Sequence, residues 1–461
     1  MSSDVLLATS RLRSVWHGLV TAMLVLSSAS AAATDGEYDP AFASMGRRLV
    51  AATGGYDQAR RMLMLADGRM LLAGSCRLPG SLDPKLCAAR LRADGSYDPT
   101  FGPGGLGYMH IDDVTFPSSV YLTDAGLLSD GRIALLGFNA AQGTDLLAVL
   151  RADGTQLDDS VLLGYGWTYV TFETSFSNAL TLRVQADDKV LVAGGATGVN
   201  GNTDLAVLRF RADLTGLDDG FGNAGIQTIA FDLGGPGANN SDNATAIAVG
   251  EDGRILLAGM GVAATNSYAL VLAQLLSDGS PDPSFGADHD GRTVPLVSMT
   301  ISATAKFDRR ANIVYGTSDG YIGRLLADGS ADPAFDGGLP IWIGYWQSIV
   351  SLAFQADGKI LAAGDRSRFG TTGGPAPFWW AVTRLRGDGS FDEDYFGHGQ
   401  EYGTFTDGSS GCCGYTDSLT DIVAGPTGIV IAGSGAATND GTLRFGVARL
   451  LLDTIFGDSF D

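Results

Sequence analysis

"LRADGSYDPTFG" (residues 91–102) returns as "LLSDGSPDPSFG" (275–286), "LLADGSADPAF" (325–335) and "LRGDGSFDEDYFG" (385–397). The Asp that heads each "DGS" falls at Asp35, Asp94, Asp153, Asp213, Asp278, Asp328 and Asp388, with an eroded copy at Asp453. Successive spacings are 59, 59, 60, 65, 50, 60 and 65, so the repeat is about 60 residues long. Asp94-Gly95 suits a tight turn, because glycine accepts positive φ and the aspartate bonds the local backbone. Asp98-Pro99 then forces an extended step. Phe101, with Phe42, Phe285 and Phe335 at the same offset, is expected to wedge between neighbouring sheets. Just upstream, five repeats carry an arginine: Arg90, Arg209, Arg324, Arg384 and Arg449. These are expected to pair with the second Asp of the turn, as Arg90 with Asp98, Arg324 with Asp332 and Arg384 with Asp392. The phrases at Asp153 and Asp213 insert one residue, which moves their second Asp to Asp158 and Asp218.

Between these phrases lies a second mark, an apolar run that stops at glycine, as in "GRMLLAG", "GRILLAG" and "GKILAAG". The last residues are Gly74, Gly137, Gly194, Gly259, Gly316, Gly364 and Gly433, seven again and interleaved one-for-one with the first mark. The runs are too short for helices, and four of the seven follow Asp-Gly hairpin chemistry. They do not alternate apolar with polar, so both faces should be buried. An apolar stretch precedes each, another follows, and a more polar fourth closes the unit, as "GGLGYMHI" does. Sheets greasy on both sides need neighbours on both sides, which radial stacking supplies. The expected fold is all-β: a seven-bladed β-propeller of four-stranded antiparallel blades, spanning residues 34–461 as one domain.

The two marks together resemble the bacterial delta-60 repeat, a β-propeller module of unknown function, over nearly all of residues 35–453. "QADGKILAAG" and "EDGRILLAG", followed by "RLxADGSxDPxFG"-like phrases, carry the resemblance. It departs at Asp188 and Arg310, where a turn glycine is expected, at Val161, where the Phe is missing, and at the eroded end. The resemblance brings no catalytic residues with it. The terminal "IFGDSFD" reads more readily as a strand end than as a sorting tail.

Residues 1–33 read as a signal peptide. Arg11, Arg13 and His17 precede the apolar run "GLVTAMLVLSSASAAA", and cleavage after Ala31 or Ala33 fits its small residues. The chain is therefore expected to be secreted or periplasmic, with surface attachment an option and no membrane span after cleavage. A formal charge of −21 argues against nucleic acid as a partner. Glycine, at 65 of 461 residues, is spread along the chain as turns rather than in phosphate-binding motifs.

Candidate chemistry is sparse. His110, His289 and His398 are far apart and lack zinc spacing. No cofactor is required by any motif; Ca²⁺ is the cation that the carboxylates would suit. Asp288, His289 and Asp290 in "ADHDGR" form the densest set of metal-ligand types. Cys76 and Cys87 flank a hairpin of the first blade, and Cys412 and Cys413 are adjacent in the last. In an exported chain these suggest a Cys76–Cys87 disulfide with a vicinal bridge or free thiols, or pairing across the seam. Trp167, Trp346, Trp379 and Trp380 sit in aromatic clusters that would suit sugar or peptide ligands, or simply blade packing. The favoured function is a non-catalytic binding scaffold for a protein or glycan. The alternative is a polysaccharide-directed enzyme with acidic residues at the central channel, Ca²⁺-assisted.

Overall fold

The computed structural model describes residues 35–112, 115–172, 177–198, 201–234, 240–264, 267–298, 302–344, 347–367, 378–405, 417–425, 428–436 and 442–452. Seven four-stranded antiparallel sheets stand in a ring. The first blade is built from Tyr56–Met64, Met70–Arg77, Lys85–Leu91 and Tyr108–His110, in spatial order from the axis outwards. The first strands of successive blades pack against one another around the axis. Among the described residues the helical elements are single 3-10 turns, such as Pro103–Gly105. Met70–Arg77 and Lys85–Leu91 are buried at nearly every position, as their unbroken apolar runs require.

The repeated phrase is the joint between blades. Phe42, Phe101, Phe221, Phe285 and Phe335 are fully buried. Each ring lies where a Cβ would stand on the glycine of the next phrase: Phe101 faces Gly154, Phe221 faces Gly279 and Phe285 faces Gly329. Glycine is needed at Gly154 and Gly329 twice over, since φ is +66° and +83° there and the neighbour's phenyl fills the side-chain space. The residue after the wedge then donates its N–H to the carbonyl of the next phrase's Asp. Ala43 does so to Asp94, Gly102 to Asp153 and Gly222 to Asp278, each at 2.8 Å.

The recurrent arginine ties the same joint electrostatically. Its Nε meets the second Asp at 2.7 Å for Arg90–Asp98, 3.0 Å for Arg209–Asp218, 2.6 Å for Arg324–Asp332 and 2.7 Å for Arg384–Asp392. Its Nη1 reaches on to the following phrase, donating to Ala152 O (2.7 Å) from Arg90, Ser277 O (2.5 Å) from Arg209 and Gly387 O (2.7 Å) from Arg324. The guanidinium also covers the wedge ring, 4.7 Å from Phe101 and 4.4 Å from Phe221. Where the arginine is missing, Gln274 bonds Asp282 at 3.0 Å, and Asp158 is held by Arg132 from the hairpin at 3.1 Å.

The glycine that ends each apolar run has a different cause. Most inner strands carry a bulge, for example between Ala59 and Arg61, Leu122 and Asp124, and Leu419 and Asp421. At Gly74, Gly259, Gly364 and Gly433 the carbonyl of the bulging strand (Gln58, Asn243, Ser348, Ser418) occupies the space of a Cβ. A bulge re-aims the side chains that follow it. Here that re-aiming supplies the axis.

The ring closes through its N-terminal segment. Arg47–Val50 is the outer strand of the seventh blade, antiparallel to Leu443–Leu450 with Arg47 opposite Ala448. The phrase at Asp35 therefore serves the last blade, where Asp39 pairs with Arg449. The hairpin expectation needs one adjustment. Asp188 does stand at positive φ (63°), but in the fifth blade that position is Ala311 (φ 60°), not Arg310, because the turn closes from Ala311 N to Asp308 O. Cys76 and Cys87 form a disulfide between adjacent strands, with Cα atoms 6.1 Å apart. Residues 1–34, Cys412, Cys413 and the terminal "IFGDSFD" lie outside the described residues.

Candidate functional site

Polar side chains of the inner strands, most of them bulged but Ala303–Phe307 in unbroken register, surround a cavity of about 180 Å³ at the axis. Arg60, Arg61, Asp124, Arg183 and Lys306 line it, with Thr181, Thr245 and Ser351 among the neutral residues. Arg61 lies between two buried carboxylates, 3.3 Å from Asp124 and 3.4 Å from Asp421. Asp124 also accepts from Thr181 Oγ1 (3.0 Å), Leu182 N (2.8 Å) and Arg183 Nη1 (3.2 Å). Asp421 accepts from Ser351 Oγ at 2.8 Å and from Met62 N at 3.3 Å.

Lys306 comes from the fifth inner strand, Ala303–Phe307, and donates to Leu352 O at 2.5 Å. Among the described residues no carboxylate makes an ion pair with it. Burial lowers its pKa to about 8, helped by Arg61 and Arg183 and opposed by Asp421 and Asp124. Burial likewise lowers Arg183 to about 10. Burial alone would raise the Asp421 carboxyl, yet Arg61 and Lys306 hold it below the ordinary range. Asp124 and Asp421 thus share this region with four cationic side chains.

Lys306 also forms part of a second cavity of about 540 Å³ at one mouth of the channel. The ends of the inner strands of blades four to seven wall it with Val249, Phe307, Leu352, Phe354, Ile422 and Val423. Its rim is charged, with Asp252 near Arg254 (3.5 Å) and Arg309 donating to Ala356 O.

The residues singled out from sequence fall elsewhere. Asp288 and His289 are exposed, whereas Asp290 is bound by Arg292 (Nη2 at 2.6 Å) and caps its amide. Among the described residues no three His, Cys, Asp or Glu side chains converge as a metal site would need. His289 instead borders a cleft of about 460 Å³ with Pro295, Leu325 and Leu339. Trp380 is fully enclosed, edge-on to Tyr38 with centroids 5.9 Å apart and beside Phe405, so it belongs to the blade packing. Trp379 points the other way and stacks on Tyr402 (5.3 Å, 12°), which Arg366 covers in turn. Trp167 is half-buried between Phe116 and Tyr169. Trp346 lies outside the described residues.

Sequence reading missed the axial charges because each stands alone in its repeat, without a shared residue type. A signal did exist. The run-ending glycine marks the bulge: Ala59 lies opposite Gly74, and the two residues that follow it, Arg60 in the bulge and Arg61 opposite Ala73, are the ones delivered to the axis.

A family model described as "Domain of unknown function (DUF5122) beta-propeller" matches residues 185–218, 251–285 and 355–394. Each match runs from an inner hairpin through the second Asp of the phrase, and together they support a β-propeller family of unknown function. No curated protein matches the chain. Among solved structures it is similar to "YCF48 bound to D1 peptide", at 10% identity, over 92% of this chain and 100% of that one, with a TM-score of 0.45. It is also similar to the β-propeller domain of the Trilobed protease from Pyrococcus furiosus, at 9% identity over 88% and 99%, with a TM-score of 0.44. A glucose dehydrogenase follows at 12% identity over 71% and 96%, with a TM-score of 0.37.

Proposed function

We propose that this chain is an exported, non-catalytic propeller that serves as a rigid scaffold for binding a protein or glycan partner. One observation carries the reading: the carboxylates at the axis are already committed. Arg61 bridges Asp124 and Asp421, and backbone and hydroxyl donors take further lone pairs. General acid–base work on a glycosidic bond needs a pair of carboxyl groups free to exchange protons with substrate. A shared guanidinium removes that freedom. The joints between blades are likewise built for stiffness, which suits a platform whose loops do the recognising.

The export part of the reading rests on the N-terminal apolar run, and the repeat itself is read as the delta-60 type on the strength of its two marks. The test is to immobilise the purified chain and probe it with glycan and peptide libraries, then analyse every bound ligand for chemical change. Binding that leaves the ligand intact is expected. Turnover of any bound ligand, with loss of that turnover in D124N, would overturn the proposal. N-terminal sequencing of the exported protein should begin at Ala32 or Thr34; an uncleaved chain retained in the cytoplasm would remove the export part.

A further inference from the structure

We propose that the axial channel is a binding site for an oxoanion, held between Lys306 and Arg60 on the cationic side of the ion-pair network. The site follows from a charge imbalance inside a cavity. Arg60, Arg61, Arg183 and Lys306 line the channel, against Asp124 on its wall and Asp421 behind it. Arg61 and Arg183 are satisfied by those two carboxylates, at 3.2–3.4 Å. Arg60 and Lys306 are left without an ionic partner among the described residues. A chain of net charge −21 thus carries two cations without an ionic partner at its centre, Lys306 half-buried and Arg60 open to solvent, and partial removal from water makes the lysine's charge costly.

A bound oxoanion supplies the missing countercharge. Phosphate, sulfate or a carboxylate group is small enough for a space of about 180 Å³, and its oxygens accept from an ammonium and a guanidinium together. Thr245 and Ser351 also line this cavity, their hydroxyls donating to Ala303 O and Asp421. The chemistry has two sources, because Lys306 also forms part of the mouth cavity walled by Val249, Phe307 and Phe354. The oxoanion is either a free inorganic ion or the anionic head of an apolar molecule whose body lies in that mouth. The site does not depend on the scaffold reading: a ring that turned over a polymer would keep the same imbalance at its axis.

The experiment is calorimetric and thermal titration of the full chain with inorganic phosphate, against chloride at equal ionic strength. Saturable binding is expected, with a melting temperature that climbs with the logarithm of phosphate concentration. Lys306→Met should weaken phosphate at least tenfold and Lys306→Arg should keep it. Both should fold, since Lys306 has no ion pair to lose. Arg60→Gln, an exposed position, gives a second reading without core disruption. Phenyl phosphate binding at least tenfold more tightly than phosphate, with that advantage lost in Phe354→Ala, assigns the head group of an apolar ligand. Equal affinities assign the free ion. No phosphate effect beyond chloride, or an effect unchanged in both Lys306→Met and Arg60→Gln, would overturn the proposal.

Discussion

Arg449 and Asp39, 410 residues apart in sequence, meet at 2.6 Å and make across the closing seam the ion pair that Arg90 and Asp98 make within one repeat. The seam copies the interior in its other contacts as well. Arg449 covers Phe42 at 5.0 Å and donates to Ala93 O at 2.8 Å, and Arg384 reaches the Asp35 carboxylate at 2.5 Å.

This pair should matter to stability far more than a surface pair of equal length. Its side chains are 15% and 9% exposed, against 43% and 66% for Arg151–Asp159 at 2.7 Å. Removing one partner of a buried pair strands the other, so Asp39→Asn should cost about 3 kcal/mol. Arg151→Ala should stay within about 0.5 kcal/mol. Denaturant unfolding of both variants checks the contrast; equal losses would mean that the seam is not held by this contact.

The joint between the second and third blades carries a compensated pair of departures. The missing Phe is Val161, and the phrase it faces has Leu214 (φ 56°) in place of the usual glycine. Val161, Leu162 and Leu214 are all buried in one cluster, and Leu162 N donates to Leu214 O. A smaller wedge is met by a larger neighbour. Val161→Phe alone should overpack by about 1–3 kcal/mol, and Leu214→Gly alone should open a cavity costing about 2–5 kcal/mol. The double variant should recover at least about 1 kcal/mol relative to the sum. Strict additivity in a double-mutant cycle would sink the idea.

Stability should peak in mildly acidic solution. Burial raises Asp145, Asp242, Asp365 and Asp417 to about 6, only partly offset by the backbone N–H groups of Ala179, Phe231, Leu419 and Phe405. Between their unfolded values near 4 and about 6, the folded state holds more protons than the unfolded one, so stability falls as pH rises through that window. Asp98, Asp332 and Asp392 act oppositely. Burial would raise them, but hydrogen bonds and arginine charge win and hold them low. Their contribution is present above about 4 and is lost as the solution is acidified further. Melting temperatures measured from pH 3 to 8 should therefore pass through a maximum between about 4 and 6. Asp145→Asn should flatten the alkaline side, and a maximum at pH 8 would contradict the assignment.

The Cys76–Cys87 bridge closes a loop of 11 residues between two paired strands. Loop entropy puts its contribution at up to about 3 kcal/mol. The double serine variant should lose that much without changing the far-ultraviolet spectrum of the ring. Loss of the strand signal would instead make the bridge a condition of folding.

The architecture was legible in the chain because its joints use residues that few other contexts require together. A Phe, an Asp-Gly facing it and an Arg set eight or nine places before the second Asp recur because most blades repeat the same contact. Strand burial was legible for the same reason, from runs such as Met70–Gly74 that leave no polar face. The axial charges were not, because a bulge delivers whatever residue follows it: arginine at Arg61, aspartate at Asp124, threonine at Thr181. Trp380 and Trp379 show the limit from another side. Adjacent residues on a strand face opposite ways, so two identical letters meet a sealed interior and a half-open stack.

The strand Arg47–Val50 belongs to the sheet that is made last. A chain emerging N-terminus first must carry this segment unpaired until Leu443–Leu450 arrives, while the incomplete seventh sheet offers a naked edge to any other strand nearby. Two half-made molecules in that condition can lend each other the latch. Exchanged dimers from crowded refolding, and their suppression when the N-terminal segment is supplied early as a free peptide, are the behaviour that this order of assembly implies.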